Sequence, residues 1–195
     1  MDVRDLFLAC AAQATTIVKR VGDDMFARPT PDTEWTVHDL AAHMLYELSW
    51  TPEIVQGKTM EEVGSKFEGE LFADTQAGLS AAWDTAKNRV KQTVPLANPA
   101  ATVHLSYGET TTEHYLREAA SDQLIHAWDL GEAIGMPVQF DEVVAREIFE
   151  YAFRNAEGME RSGLFAPPRP VAADADVQTR LLALFGRDRH WRERF

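Results

Sequence analysis

Hydrophobic positions recur at spacings of three and four residues along four long stretches of the chain, which is typical of amphipathic helices. Polar side chains that cap helices open the first two stretches, at Asp2 and at the capping box Thr36 to Asp39. Gly135 ends the fourth. The stretches cover approximately residues 3–21, 36–57, 74–94 and 113–134. The pattern predicts an all-α protein built on four principal helices.

Two features interrupt or extend this pattern. Val103, Leu105 and Tyr107 alternate with polar residues, which predicts a short β-hairpin directly before the fourth helix, whereas residues 58–71 are expected to form a loose connection. After Asp141 a fifth helix and a short helix near 177–185 are expected to form a small C-terminal helical extension. We expect one domain over 1–195, with a core bundle over about 1–136 and the extension over about 137–195.

Composition excludes several classes of protein. A formal net charge of −12 and the lack of a basic cluster argue against a nucleic-acid partner. No apolar run is long enough for a membrane span, and the acidic N-terminus does not resemble a secretory signal, so a cytoplasmic location is expected. Cys10 is the single cysteine, cannot form an internal disulfide, and is expected to be a small buried apolar residue.

The candidate chemistry lies on the second and fourth helices. Asp122 and His126 are four residues apart, so their side chains stand about 40° apart around the helix axis and one turn apart along it. His43 occupies a comparable margin of the second helix. Two imidazoles and one carboxylate suit zinc, nickel or ferrous iron and leave a position open for water, thiolate or substrate. Spacing alone leaves open a hydrogen-bonded surface pair or a satisfied core histidine.

Three further positions carry side chains that could take part in the chemistry of this set. Glu47 follows His43 by one turn and is a candidate fourth ligand or base, although a solvated carboxylate is commoner. Asp129 is a candidate acceptor for His126, with a backbone N–H or an arginine elsewhere as the alternative partner. Arg187 belongs to a basic C-terminal group that is interpreted as a solvated turn rather than as a site for an anionic cofactor.

Three sequence blocks, at 35–43, 126–130 and 181–191, resemble the DinB/YfiT-like superfamily, in the actinobacterial branch related to the N-terminal domain of mycothiol-dependent maleylpyruvate isomerase. The resemblance spans nearly the whole chain and implies a four-helix bundle that binds a divalent metal. It assigns the ligands to His43, Asp122 and His126, with zinc expected first and nickel or iron as alternatives. The isomerase has glutamate, and many relatives histidine, where this chain has Asp122, whose shorter side chain would bind the ion either directly or through water.

The resemblance further implies a metal-dependent S-transferase or isomerase that joins mycothiol, or another low-molecular-weight thiol, to a small electrophile. Maleylpyruvate isomerisation itself is not expected, because a short segment ending near Trp191 replaces the larger C-terminal domain of the isomerase. A metal-dependent hydrolase, a non-haem iron oxygenase and a non-catalytic metal-bearing binding module remain alternatives. Packing of exposed helix faces would give a homodimer.

Overall fold

The protein is described by a computed structural model over residues 1–32, 34–158 and 166–194, without the side chains of residues 193 and 194. The described residues are mostly helical and contain one antiparallel hairpin. The α-helices are α1 (Val3–Val18), α2 (Val37–Ile54), α3 (Met60–Val63), α4 (Gln76–Thr93), α5 (Thr112–Ile134), α6 (Glu142–Arg154) and α7 (Val177–Leu184), with short 3-10 helices at Val94–Leu96 and Trp191–Arg194.

The core lies between the four long helices. Helix α1 packs along α5, while α2 packs against both α4 and α5. Their apolar faces meet in one cluster of buried side chains, and Phe7, Leu40 and Leu124 are completely buried in it. Helices α6 and α7 pack against each other, and α6 also contacts α5. The all-α prediction is therefore confirmed at the level of helix content and order.

The predicted hairpin is present directly before α5. Strands β1 (Thr102–Leu105) and β2 (Gly108–Thr111) pair antiparallel, with Val103 opposite Thr110. The side chain of Thr111 accepts a hydrogen bond from the His114 backbone N–H and caps α5. Gly135 ends α5 at a φ of 82°, a left-handed conformation that glycine adopts without the steric cost of a Cβ.

Helix α1 and the stretch after α2 differ from the predictions. Helix α1 ends at Val18, three residues early, because Arg20 and Val21 turn back to the carbonyls of Ile17 and Val18 in tighter hydrogen bonds. The stretch expected to be a loose connection contains α3, which a capping box between Thr59 and Glu62 starts. Four residues are too few for a helical period to be visible in the sequence.

Two other expectations concern the burial of Cys10 and the possibility of a membrane-spanning helix. Cys10 is completely buried in the core, as predicted, and burial raises the pKa of its thiol to about 12. None of the described helices combines the length and the apolar character that crossing a membrane requires.

Candidate metal centre

Helices α2 and α5 bring the candidate ligands together. Among the side-chain hydrogen bonds between them, His43 reaches Asp122, Gln123 donates to the Met44 carbonyl at 3.0 Å, and Thr51 bonds the Tyr115 hydroxyl at 3.0 Å. Residue numbers rise on α2 as they fall on α5, so the two helices run antiparallel. The Thr36–Asp39 capping box fixes where α2 begins, and His43 lies two turns further along it.

His43, Asp122 and His126 converge on one point. Each offers a ligand atom, and these three atoms lie within 4.8 Å of one another. Asp122 Oδ1 is 3.2 Å from Nε2 of His43 and 3.3 Å from Nε2 of His126. Two atoms that share a tetrahedral zinc ion at bond lengths of about 2.0 to 2.1 Å are about 3.3 Å apart. The set therefore has nearly the spacing that one ion requires.

The second oxygen of Asp122 supports this fit independently. Oδ2 is buried and has no hydrogen-bond partner among the described residues. A buried acceptor without a partner costs about 1 to 3 kcal/mol, and more when the group is charged. A cation beside Asp122 would remove this cost.

On the other side of His126, Asp129 contacts the imidazole and Arg187 contacts Asp129. Its Nδ1 lies 3.1 Å from Oδ2 of Asp129, whose side chain is fully buried. Arg187 donates to both oxygens of Asp129, at 3.0 Å through Nε and 2.7 Å through Nη2. Nη2 also lies 2.8 Å from Asp32. Asp129 thus contacts both candidate partners that the sequence left open, the imidazole and an arginine.

Arg187 corrects a prediction. The sequence predicts that it lies in a solvated C-terminal turn, but its side chain is only 11% exposed and lies between two carboxylates. Asp32, His126 and Asp129 form a second group with the spacing of a metal site, and the Arg187 guanidinium already supplies the positive charge there. Asp32 and Arg187 are 155 residues apart, so no local pattern revealed their contact.

Electrostatics distinguish the two candidate ligands on α5. Burial alone would raise the pKa of Asp122, but the neighbouring imidazoles of His126 and His43 outweigh it and hold this pKa far below its usual range. Burial opposes the charged form of His126, yet Asp122 and Asp129 together raise its pKa to about 10. His126 therefore carries a proton at neutral pH in the metal-free protein, and a metal on Nε2 must displace that proton.

Glu47 lies beside the three residues but is not part of their cluster. Burial raises the pKa of its carboxyl to about 7, with a further increase from the negative charge of Asp122 and partial opposition from His43 and His126. A carboxyl that exchanges its proton near neutral pH is suited to general acid–base work. Its absence from the group of ligand atoms within 4.8 Å of one another argues against a role as fourth ligand.

Trp35 covers the imidazoles and was missed by sequence reasoning. Its ring centroid lies 4.7 Å from that of His43 and 5.7 Å from that of His126. Trp35 lies immediately before the capping box, in a segment whose Thr36 backbone pairs with Pro29. A tryptophan directly before a helix cap indicates only a packing contact, so no local pattern places it over the site.

Comparison with known proteins gives the family. The sequence profile described as "Mycothiol maleylpyruvate isomerase N-terminal domain" matches residues 7–131, which is more than half of the chain. The chain belongs to this family. The match confirms the resemblance inferred from the sequence and covers His43, Asp122 and His126, whereas Arg187 lies beyond it. The family is associated with mycothiol and with metal binding.

Curated relatives extend over most of the chain. Two proteins of Mycobacterium tuberculosis, one from strain CDC 1551 / Oshkosh and one from strain ATCC 25618 / H37Rv, are each 29% identical over 179 residues. Each alignment covers 88% of this chain and 90% of the relative, and both relatives are described as uncharacterized. No solved structure matches the chain.

Proposed function

We propose that this protein binds one divalent metal ion and uses it to transfer a low-molecular-weight thiol, with mycothiol first, to a small electrophile or to isomerise that electrophile. The observation that carries the proposal is the convergence of His43 and His126 on one oxygen of Asp122, whose other oxygen is buried without a hydrogen-bond partner among the described residues. Membership of a mycothiol-related family supports the choice of thiol.

His43, Asp122 and His126 would hold the ion, each through one atom. Two imidazole nitrogens and one carboxylate oxygen favour zinc, with nickel or ferrous iron as alternatives. Three protein ligands leave a coordination position free. When bound, such an ion supplies a positive charge that lowers the pKa of a coordinated thiol.

Asp129 and Arg187 would position the imidazole of His126. With Nε2 directed to the ion, Nδ1–H donates to Asp129, which fixes the tautomer and the plane of the ring. Arg187 holds the Asp129 carboxylate through both oxygens, so that this buried charge is paired on both sides. Trp35 shields one side of both imidazoles from water.

Glu47 would move the proton. Its pKa near 7 lets it accept the proton of an incoming thiol and later return it to the product. Burial, with a further contribution from the charge of Glu47, raises the pKa of the Tyr115 phenol far above its usual range, and the hydroxyl is bonded to Thr51. The phenol therefore stays neutral beside the proposed base.

The test is a thiol-consumption assay with purified protein, added metal and a panel of electrophiles. Mycothiol, glutathione, bacillithiol and coenzyme A are compared in separate reactions. We expect turnover with at least one thiol, and loss of turnover in the chelated protein and in His126→Ala. His104→Ala, which removes an accessible histidine of the hairpin, is the matched control and should stay active. An absence of turnover with all four thiols would refute the transferase proposal.

A second candidate function, metal-dependent hydrolysis, is favoured by Glu47 specifically. A base with a pKa near 7 beside an open metal position is equally suited to deprotonating water. Product formation without any thiol would favour this function over transfer. Metal binding without either reaction would favour a non-catalytic binding module.

The finer description of the fold is also part of the proposal. We infer that α1, α2, α4 and α5 form a DinB/YfiT-like four-helix bundle, supported by the packing of α1 on α5 and of α2 on α4 and α5. The division into one domain with a C-terminal extension, the cytoplasmic location and a homodimeric state stay predictions.

A further inference from the structure

A second charged cluster lies at the other end of α2. Glu53 is on this helix, ten residues after His43, which corresponds to about 15 Å along the helix axis. Its carboxylate is only 1% exposed, and three cations surround it. Lys58 donates to Oε2 at 2.5 Å, Lys66 donates to Oε1 at 2.5 Å, and Arg89 of α4 donates to Oε1 as well.

The three cations exceed what one carboxylate needs. Burial opposes the ionised form of Glu53, but hydrogen bonds from the cations outweigh it and lower the pKa to about 2, so the carboxylate is charged at neutral pH. The cluster then carries two positive charges more than negative ones, in a chain whose net charge is −12. Glu62 lies within electrostatic range of Lys58, but its carboxylate caps α3 through Thr59.

Hydrogen-bonding capacity at the cluster is also unused. An ammonium group has three donors and a guanidinium has five, and each of these side chains directs one hydrogen bond to Glu53. Among the described residues, Lys58, Lys66 and Arg89 donate no other side-chain hydrogen bond and form no other ion pair. The side chains of Lys58 and Lys66 are 45% and 47% exposed, so the remaining donors are accessible to a solute.

Aromatic side chains lie next to the cations. The Lys66 ammonium stands 5.2 Å from the ring centre of Phe67, and that ring contacts Trp50 at 5.5 Å. Trp50 lies one turn before Glu53 on α2, and its indole N–H is buried without a hydrogen-bond partner among the described residues. The cluster therefore combines surplus positive charge, free donors and an apolar wall.

We propose that Lys58, Lys66 and Arg89, held together by Glu53, form a binding site for a small oxyanion, the carboxylate or phosphate group of a ligand. The buried carboxylate gathers the three cations before the ligand arrives, so that little side-chain entropy is lost when it binds. The oxyanion would accept hydrogen bonds from the N–H groups that Glu53 leaves unused. At least two of the cations would strengthen these bonds by their charge. This site does not depend on the metal centre.

The test is a titration of the full-length protein with inorganic phosphate at constant ionic strength, with chloride as the balancing anion. Binding is measured by calorimetry and located by amide chemical shifts. We expect saturable binding in the millimolar range, with shifts centred on Lys66, Phe67 and Arg89. His126→Ala should bind phosphate like the wild type, because it alters only the metal centre.

Substitutions separate the proposed site from a purely structural ion-pair cluster. Lys66→Met and Arg89→Met should each weaken phosphate binding about five-fold or more, as expected for the loss of about 1 kcal/mol. Lys91→Met is the control, because Lys91 lies on α4 with Arg89 and its loss changes the net charge by the same amount. It should leave phosphate binding unchanged.

Two outcomes would overturn the proposal. One is the absence of saturable phosphate binding at constant ionic strength. The other is binding that Lys66→Met and Arg89→Met leave unchanged, since the phosphate would then lie elsewhere on the protein.

Discussion

Replacing Arg187 by methionine tests whether the C-terminal segment supports the candidate metal centre. The substitution keeps much of the apolar stem and removes the guanidinium that pairs with Asp129 and Asp32. Asp129 is fully buried, and removal of one partner from a buried ion pair costs about 3 to 5 kcal/mol. Because His126 still pairs with Asp129, we expect the lower end of this range, about 3 kcal/mol.

The assay is urea and thermal unfolding of the metal-free protein. A loss of about 3 kcal/mol in a chain of this length lowers Tm by about 6 to 12 °C. Arg189→Met is the matched control, because Arg189 forms an exposed pair with Asp176 and should contribute less than about 1 kcal/mol. Adding Asp129→Asn to Arg187→Met should recover part of the stability, since no buried charge is then left with too few partners.

The same substitution should weaken metal binding. Arg187 acts on the candidate ligand His126 through Asp129. Loss of a residue that positions a metal ligand in this indirect way typically lowers metal affinity about 10-fold to 100-fold. Competition with a chromogenic chelator measures this in the folded variant, and Arg187→Lys should restore part of the affinity by returning one charge. If Arg187→Met costs no more than Arg189→Met and leaves the metal affinity unchanged, the account of Arg187, Asp129 and His126 is wrong.

Three further predictions follow from the pKa values. Because the pKa of His126 is raised to about 10, zinc binding near neutral pH should release about one proton. The calorimetric enthalpy of zinc binding should then depend on the ionisation heat of the buffer. Equal enthalpies in all buffers would contradict this. The pKa of Glu47 is raised from 4.5 to about 7, so its contribution to stability is complete below about pH 4.5 and is lost as the pH rises through 7. Relative to Glu47→Gln, the metal-free wild type should therefore lose urea resistance over this interval, and parallel pH curves would count against the shift. Cys10 should react with a thiol reagent only after unfolding, and rapid labelling of the native protein would contradict its burial and its raised pKa.

Local signals made much of the fold predictable. The capping box at Thr36, the stop at Gly135 and the apolar periodicity of α5 each depend on residues within a few positions of one another. Such signals also place Asp122 and His126 on one strip, because a spacing of four residues fixes their relation on any α-helix. No local signal joins His43 to this pair, because contact between α2 and α5 depends on tertiary packing. Only the family resemblance predicts that His43 belongs to the same site.

The remaining parts of the site depend on contacts between distant residues. Arg187 meets Asp129 across 58 positions, and Arg89 meets Glu53 across 36. An arginine among other basic residues near a C-terminus resembles a solvated cation in any local window. Only the packed chain shows that its guanidinium lies between two carboxylates.

Metal stoichiometry is the most direct test of the central claim. Protein purified without chelator and reloaded with zinc is measured by mass spectrometry, beside His43→Ala, Asp122→Ala, His126→Ala and the control His104→Ala. We predict one ion per chain in the wild type and in the control, with loss in His43→Ala and His126→Ala and weaker retention in Asp122→Ala. A wild type that takes up no ion, or histidine variants that keep a full ion, would contradict the account.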